Sequence, residues 1–200
     1  MRRRRLQLAA VVAVLGLLGI VTAAVAGGGG RDVREHLTGY AEVPAVSTLG
    51  SGEFRAEVRD LEISYKLSYR DLEGDVTQAH IHIGLPQNSG GVVLWLCDST
   101  ANPSPVATTP MCNVDNPSDL RSGRVSGTLT AADVQTVAAN GIVGATATTP
   151  GEFEEVVALI RAGKTYANVH TTKFAPGEIR SQLDNRGNDH NGHGGDHNDR

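Results

Sequence analysis

Phe54-Arg55-Ala56-Glu57-Val58 and Ile63-Ser64-Tyr65-Lys66-Leu67-Ser68-Tyr69, joined through Asp60-Leu61-Glu62, decide the fold class of this chain. Apolar residues alternate with charged ones in the first run and with Ser64, Lys66 and Ser68 in the second. Period two belongs to a half-buried antiparallel strand, because successive side chains leave opposite faces. The short polar link makes the two runs a hairpin. Val92 to Cys97 is a continuous apolar run around Trp95, as in a strand covered on both faces or at the centre of a sheet. Arg124 to Leu129, Lys164 to Thr171 and Glu178 to Leu183 supply further strands, each bounded by Gly or Pro. An all-β sandwich or barrel of antiparallel strands follows.

Two short helices are expected between the strands. Thr130, with Asp133 three residues on, caps a segment Ala131 to Ala139. Thr149, Pro150 and Glu152 form a second start signal, Phe153, Val156, Val157 and Ile160 form one apolar face, and Gly163 ends it.

The chain has 200 residues, room for one domain with appendages. Residues 1–26 read as a signal peptide: Arg2 to Arg5, an apolar run from Leu8, then Ala24-Val25-Ala26 for cleavage. An uncleaved anchor is the alternative, and no other membrane segment is expected. Residues 27–34 read as a Gly-rich spacer, 35–183 as the domain, and 184–200 as a disordered tail of Asp, Asn, Arg, Gly and His. Its His190, His193 and His197 are read as solvated rather than as a metal scavenger. The chain is expected to be secreted or extracytoplasmic, where Cys97 and Cys112, its only cysteines, would pair and close a Pro-containing loop. With Arg2 to Arg5 set aside, 14 basic groups face 22 acidic ones, a net of −8, and aromatics are 4% of the chain. That balance excludes a nucleic-acid binder.

Chemistry concentrates in two strands. Gln78-Ala79-His80-Ile81-His82-Ile83 puts two imidazoles on one face and three apolar side chains on the other, and Asn168 and His170 repeat the parity. If the strands adjoin, His80, His82 and His170 offer three neutral nitrogens suited to copper or zinc. Alternatively these histidines, with Asn168, Glu178 and Arg180, hydrogen-bond one another and hold edges and loops together, Glu178 and Arg180 forming an ion pair. No G-x-S-x-G elbow, P-loop or H-E-x-x-H is present, so no catalytic residue is assigned.

Leu37-Thr38-Gly39, Glu42-Val43-Pro44, Ala79-His80-Ile81-His82, Gly127-Thr128-Leu129-Thr130, Asn168-Val169-His170-Thr171 and Gly177-Glu178-Ile179-Arg180-Ser181-Gln182-Leu183 resemble, in that order, the CHRD domain first described in chordin. The resemblance implies an all-β domain of secreted proteins, bacterial ones included, and a binder of bone morphogenetic proteins in chordin itself. Ala45 and Ser181 depart from the family's usual proline and glycine. A more distant likeness, through H-x-H, is to the Greek-key barrel of copper-zinc superoxide dismutase. The body holds only His36, His80, His82 and His170, too few imidazoles for a two-metal dismutase. The preferred reading is a non-enzymatic extracellular binding or structural module with a protein or cell-surface partner. The alternatives are a copper- or zinc-binding protein and, third, a one-metal oxidoreductase.

Overall fold

A computed structural model describes residues 30–184. The signal-peptide and tail assignments lie outside the described residues. Eight strands form one antiparallel sheet: β1 Arg31–Thr38, β2 Ser51–Val58, β3 Ile63–Arg70, β4 Val76–Ile83, β5 Val92–Cys97, β6 Gly123–Leu129, β7 Thr165–Thr171 and β8 Ile179–Gln182. Their order is β5-β4-β7-β8-β1-β2-β3-β6, and the two end strands approach each other, so the sheet curls into a nearly closed barrel. Around that ring β7 lies beside β4 after the run β4-β5-β6, the order of a Greek key.

The opening hairpin is as expected. Phe54 faces Leu67 and Ala56 faces Tyr65 in register, all four buried, while Arg55 and Lys66 face each other outside. Removing these apolar side chains from water is the main force closing the barrel, at about 25 cal/mol per Å² of apolar surface. β1 had no clear strand signal, and it takes in residues 31–34, which the sequence assigns to a spacer. Its inward positions are Val33, Glu35 and Leu37, so a buried carboxylate interrupts the apolar alternation. β5 is covered on both sides, but it is an end strand rather than a central one. Gln135 continues the pairing by donating its N–H to the Val93 carbonyl at 2.9 Å.

Of the two expected helices, one forms. α1 spans Phe153–Arg161 and buries Phe153, Val156, Val157 and Ile160. Gly163, at φ 65°, supplies the left-handed turn that ends it. The start falls at Glu152 rather than Thr149, and the Glu152 carboxylate accepts from the Val143 N–H instead of capping. Over 131–139, Thr130 and Asp133 make the expected capping box, yet only two separate 3-10 turns, at Ala131–Asp133 and Ala138–Asn140, take the place of the helix. Backbone pairing wins there: Gln135 joins β5 and Val137 bridges Ile142. Cys97 and Cys112 form the disulfide, at the root of the long excursion between β5 and β6.

Candidate metal centre

Strand parity builds an in-register polar rectangle on the outside of the barrel. His80 of β4 faces Asn168 of β7, which faces Arg180 of β8; one row along, His82 faces Tyr166, which faces Gln182. His170 lies on the same face of β7, opposite Gln78. The other face of these strands holds Ala79, Ile81, Ala167, Val169 and Ile179, all in the core. An outer face would ordinarily be wet. Here His80 and Arg180 are 2% exposed, and His82 and His170 are 6% exposed.

Three loops and a tryptophan make the roof. The segment after β1 brings Glu42, whose carboxyl lies beside the Asn168 side chain against Gly177. The segment after β4 contributes carbonyls: Arg180 Nη2 donates to Leu85 and Asn88 at 2.8 and 3.1 Å, and the Gly90 N–H donates to the Tyr166 hydroxyl at 3.0 Å. The segment after β7 contributes the Ala175 carbonyl and Gly177. Gly177 has φ 138°, and a Cβ there would stand 2.4 Å from Glu42 Oε1, so any other residue would push the roof off. Trp95 packs edge-to-face on His80, with ring centroids 4.2 Å apart.

Under this roof His80, His82 and His170 meet, each offering one nitrogen within 4.8 Å of the others. Which nitrogen follows from hydrogen bonding. His82 Nδ1 contacts the Gly90 carbonyl at 2.9 Å and His170 Nδ1 the Ala175 carbonyl at 2.8 Å. A carbonyl can only accept, so both protons sit on Nδ1 and both lone pairs on Nε2. His170 Nε2 lies 3.1 Å from His80 Nδ1, which donates to it in the metal-free protein. The free nitrogens, His82 Nε2 and His80 Nε2, are buried without a hydrogen-bond partner.

All three rings are held neutral. Burial, with repulsion from His170 and His82, pushes His80 down to about 2. Burial pushes His82 down to about 4 against the opposing bond to Gly90, and burial lowers His170 as well. Neutral imidazole is the ligating form. Two nitrogens on one ion with ~2.0 to 2.1 Å bonds stand ~3 to 4 Å apart. The His80–His170 apposition meets that span, and the widest separation in the trio must close by roughly an ångström, the reach of a small side-chain rotation. The carbonyls on the far nitrogens are the supports that ligating histidines commonly have.

The remaining polar residues have other tasks. Glu178 and Arg180 do not form the expected ion pair. The Glu178 carboxylate accepts from the Glu73 and Gly74 N–H groups, at 2.7 and 3.3 Å, and from the Thr48 and Thr171 hydroxyls, both at 2.8 Å. It pins loops together and touches none of the three histidines. Arg180 instead stacks on Tyr166, its guanidinium carbon 3.4 Å from the ring centroid, and His82 also stacks on Tyr166 at 4.8 Å. Glu42 Oε1 and Asn168 Oδ1 are buried without partners, and burial raises Glu42 to about 7. Glu42, Trp95 and Tyr166 are not among the site residues the sequence points to, although Glu42 belongs to the Glu42-Val43-Pro44 motif and Trp95 to the apolar strand run. Tyr166 had a signal, the parity Tyr166-x-Asn168-x-His170.

The segments Glu42-Val43-Pro44, Ala79 to His82, Asn168 to Thr171 and Gly177 to Leu183, distant in sequence, thus meet in one place. A family model described as the CHRD domain matches residues 33–183. No curated protein and no solved structure matches the chain.

Proposed function

Since the chain belongs to the CHRD domain family, we propose that it works outside the cytoplasm as a non-enzymatic binding module whose cargo or cofactor is one copper or zinc ion. His80, His82 and His170 are its ligands. One observation carries the reading: three neutral imidazoles converge beneath a roof, and the Nε2 atoms of His80 and His82 have no partner. An unpaired buried polar group ordinarily costs ~1 to 3 kcal/mol, and a bound ion would remove that cost at His82 Nε2. Ligation through His80 Nδ1 and His170 Nε2 would take the place of their mutual hydrogen bond, with the His80 proton then carried on Nε2.

The disulfide and the family support an extracytoplasmic setting. The test is metal content. The full chain, purified without an affinity tag and with His190, His193 and His197 replaced by Ala, should take up one copper or zinc ion per molecule. His82→Ala should take up none at stoichiometric concentration. Equal metal in the two proteins would refute the assignment, and no metal in either would refute the function.

A further inference from the structure

The three-histidine site, if it holds a metal as proposed above, is charge-poor in a way that discriminates between ions. We infer that its ion is copper in the cuprous state. The three donors are neutral side chains, and none of the ligand trio is a carboxylate or thiolate. Glu42 lies beside Asn168 and is not part of the histidine trio, and Glu178 is committed to Thr48, Thr171 and two backbone N–H groups. The Arg180 guanidinium, which has Glu42 as its carboxyl neighbour, covers one ring, Tyr166, that also stacks on His82.

A dication would therefore bring two charges into a roofed pocket with no anionic ligand and a buried guanidinium beside it. The desolvation cost of an ion rises with the square of its charge, so a monovalent ion suffers roughly a quarter of it. Coordination number points the same way. Zinc in a three-histidine site completes a tetrahedron with water, and Cu(II) seeks a tetragonal set of four or more donors. Cu(I) is satisfied by three nitrogens in a plane.

The experiment uses the full chain with the three tail histidines replaced by Ala, so that only the rectangle reports. Its affinity for Cu(I) is measured anaerobically against a chromophoric cuprous chelator, and its affinities for zinc sulfate and copper(II) sulfate by direct titration. His82→Ala and the milder His82→Gln serve as site controls, with near-UV circular dichroism to show that each is folded. The expected result is one Cu(I) per chain, lost in the folded His82 variant, with an affinity at least ~100-fold above that for zinc. Protein loaded with Cu(II) should lose its paramagnetic signal on adding ascorbate and regain it slowly in air. Zinc or Cu(II) bound through His82 as tightly as Cu(I) overturns the cuprous inference and leaves the metal site standing. No ion held through His82 overturns both.

Discussion

The barrel has two unlike halves. In β2 and β3 inward residues are buried and outward ones are charged or hydroxylated, Arg55 and Lys66 among them, in the one-sided pattern of an antiparallel sheet facing water. In β4 and β7 nearly every position is buried, yet more than half of the side chains are polar, His80, His82, Tyr166, Asn168 and His170 among them. The same alternation of apolar and polar residues thus has opposite meanings. On one half the polar face meets solvent; on the other it meets a roof. Burying polar groups is costly unless they are partnered, so a roofed polar face marks a place where stability is traded for chemistry.

The largest effect that should separate the halves is at the roof's anchor. Glu178 is fully buried and accepts four hydrogen bonds from segments that meet at this end of the barrel. Glu178→Ala leaves those donors unpaired and should cost ~3 to 5 kcal/mol by denaturant unfolding. A loss below 1 kcal/mol would mean that the roof stands without it. Next comes the disulfide. Replacing Cys97 and Cys112 together by Ser reopens a loop of 15 residues' separation and should cost about 3 kcal/mol, with the metal site unaffected because the loop lies beyond β5.

Titration offers the third contrast. In the metal-free protein His80, His82 and His170 have folded-state pKa values depressed below the ordinary 6.5. The unfolded chain therefore binds more protons in acid, and the stability due to these neutral rings, complete above pH 6.5, is lost as pH falls towards about 4 and then about 2. Glu42 acts oppositely. Its folded value, raised from 4.5 to about 7, gives stability that is complete below pH 4.5 and lost as pH rises through 7. Thermal melts should show a fall on acidification from pH 6.5, and Glu42→Gln should steepen it by removing the opposing contribution. An unchanged slope in that variant would show that Glu42 does not stay protonated in the fold.

What was legible follows the same division. Period-two alternation identified the hairpin and the shared face of His80 and His82, because parity is a local property of a strand. The roof was not legible, since it depends on which loops fold back over which face. Glu42 sits in a loop with no periodic signal, and its role rests on Gly177 being small enough to let it approach Asn168. The Glu178–Arg180 pair failed for a related reason. Parity put the two side chains on one face, but tertiary donors at Thr48, Glu73 and Gly74 claimed the carboxylate. β1 was missed because Glu35 occupies an inward position, and the expected helix after Thr130 gave way to backbone pairing with β5.

The smallest expected effect is the most direct check on the two-halves contrast, because it applies one kind of substitution to both. Lys66 lies on the wet face, opposite Arg55, which itself lies opposite Arg34, so three cations stand in one cross-strand row. Glu53 pairs with both arginines, and no ion pair of Lys66 is found among the described residues. Lys66→Thr removes one like charge from the row and adds a β-branched residue, so unfolding free energy should change by no more than ~0.5 kcal/mol, with stabilisation the favoured sign at low salt. Asn168→Thr makes the matching change under the roof, where the amide lies beside Glu42 and is 2% exposed. It should cost ~1 to 3 kcal/mol, because the fully buried amide packs between β4 and β8 beside Glu42 and a shorter threonine leaves a gap lined by polar groups. Adding salt should shrink the Lys66 effect and leave the Asn168 effect in place, since screening reaches exposed charges far more than a buried, uncharged amide. Equal costs at the two positions would mean that the roofed face is no more demanding than the open one, and the case for a specialised site on β4 and β7 would fall with it.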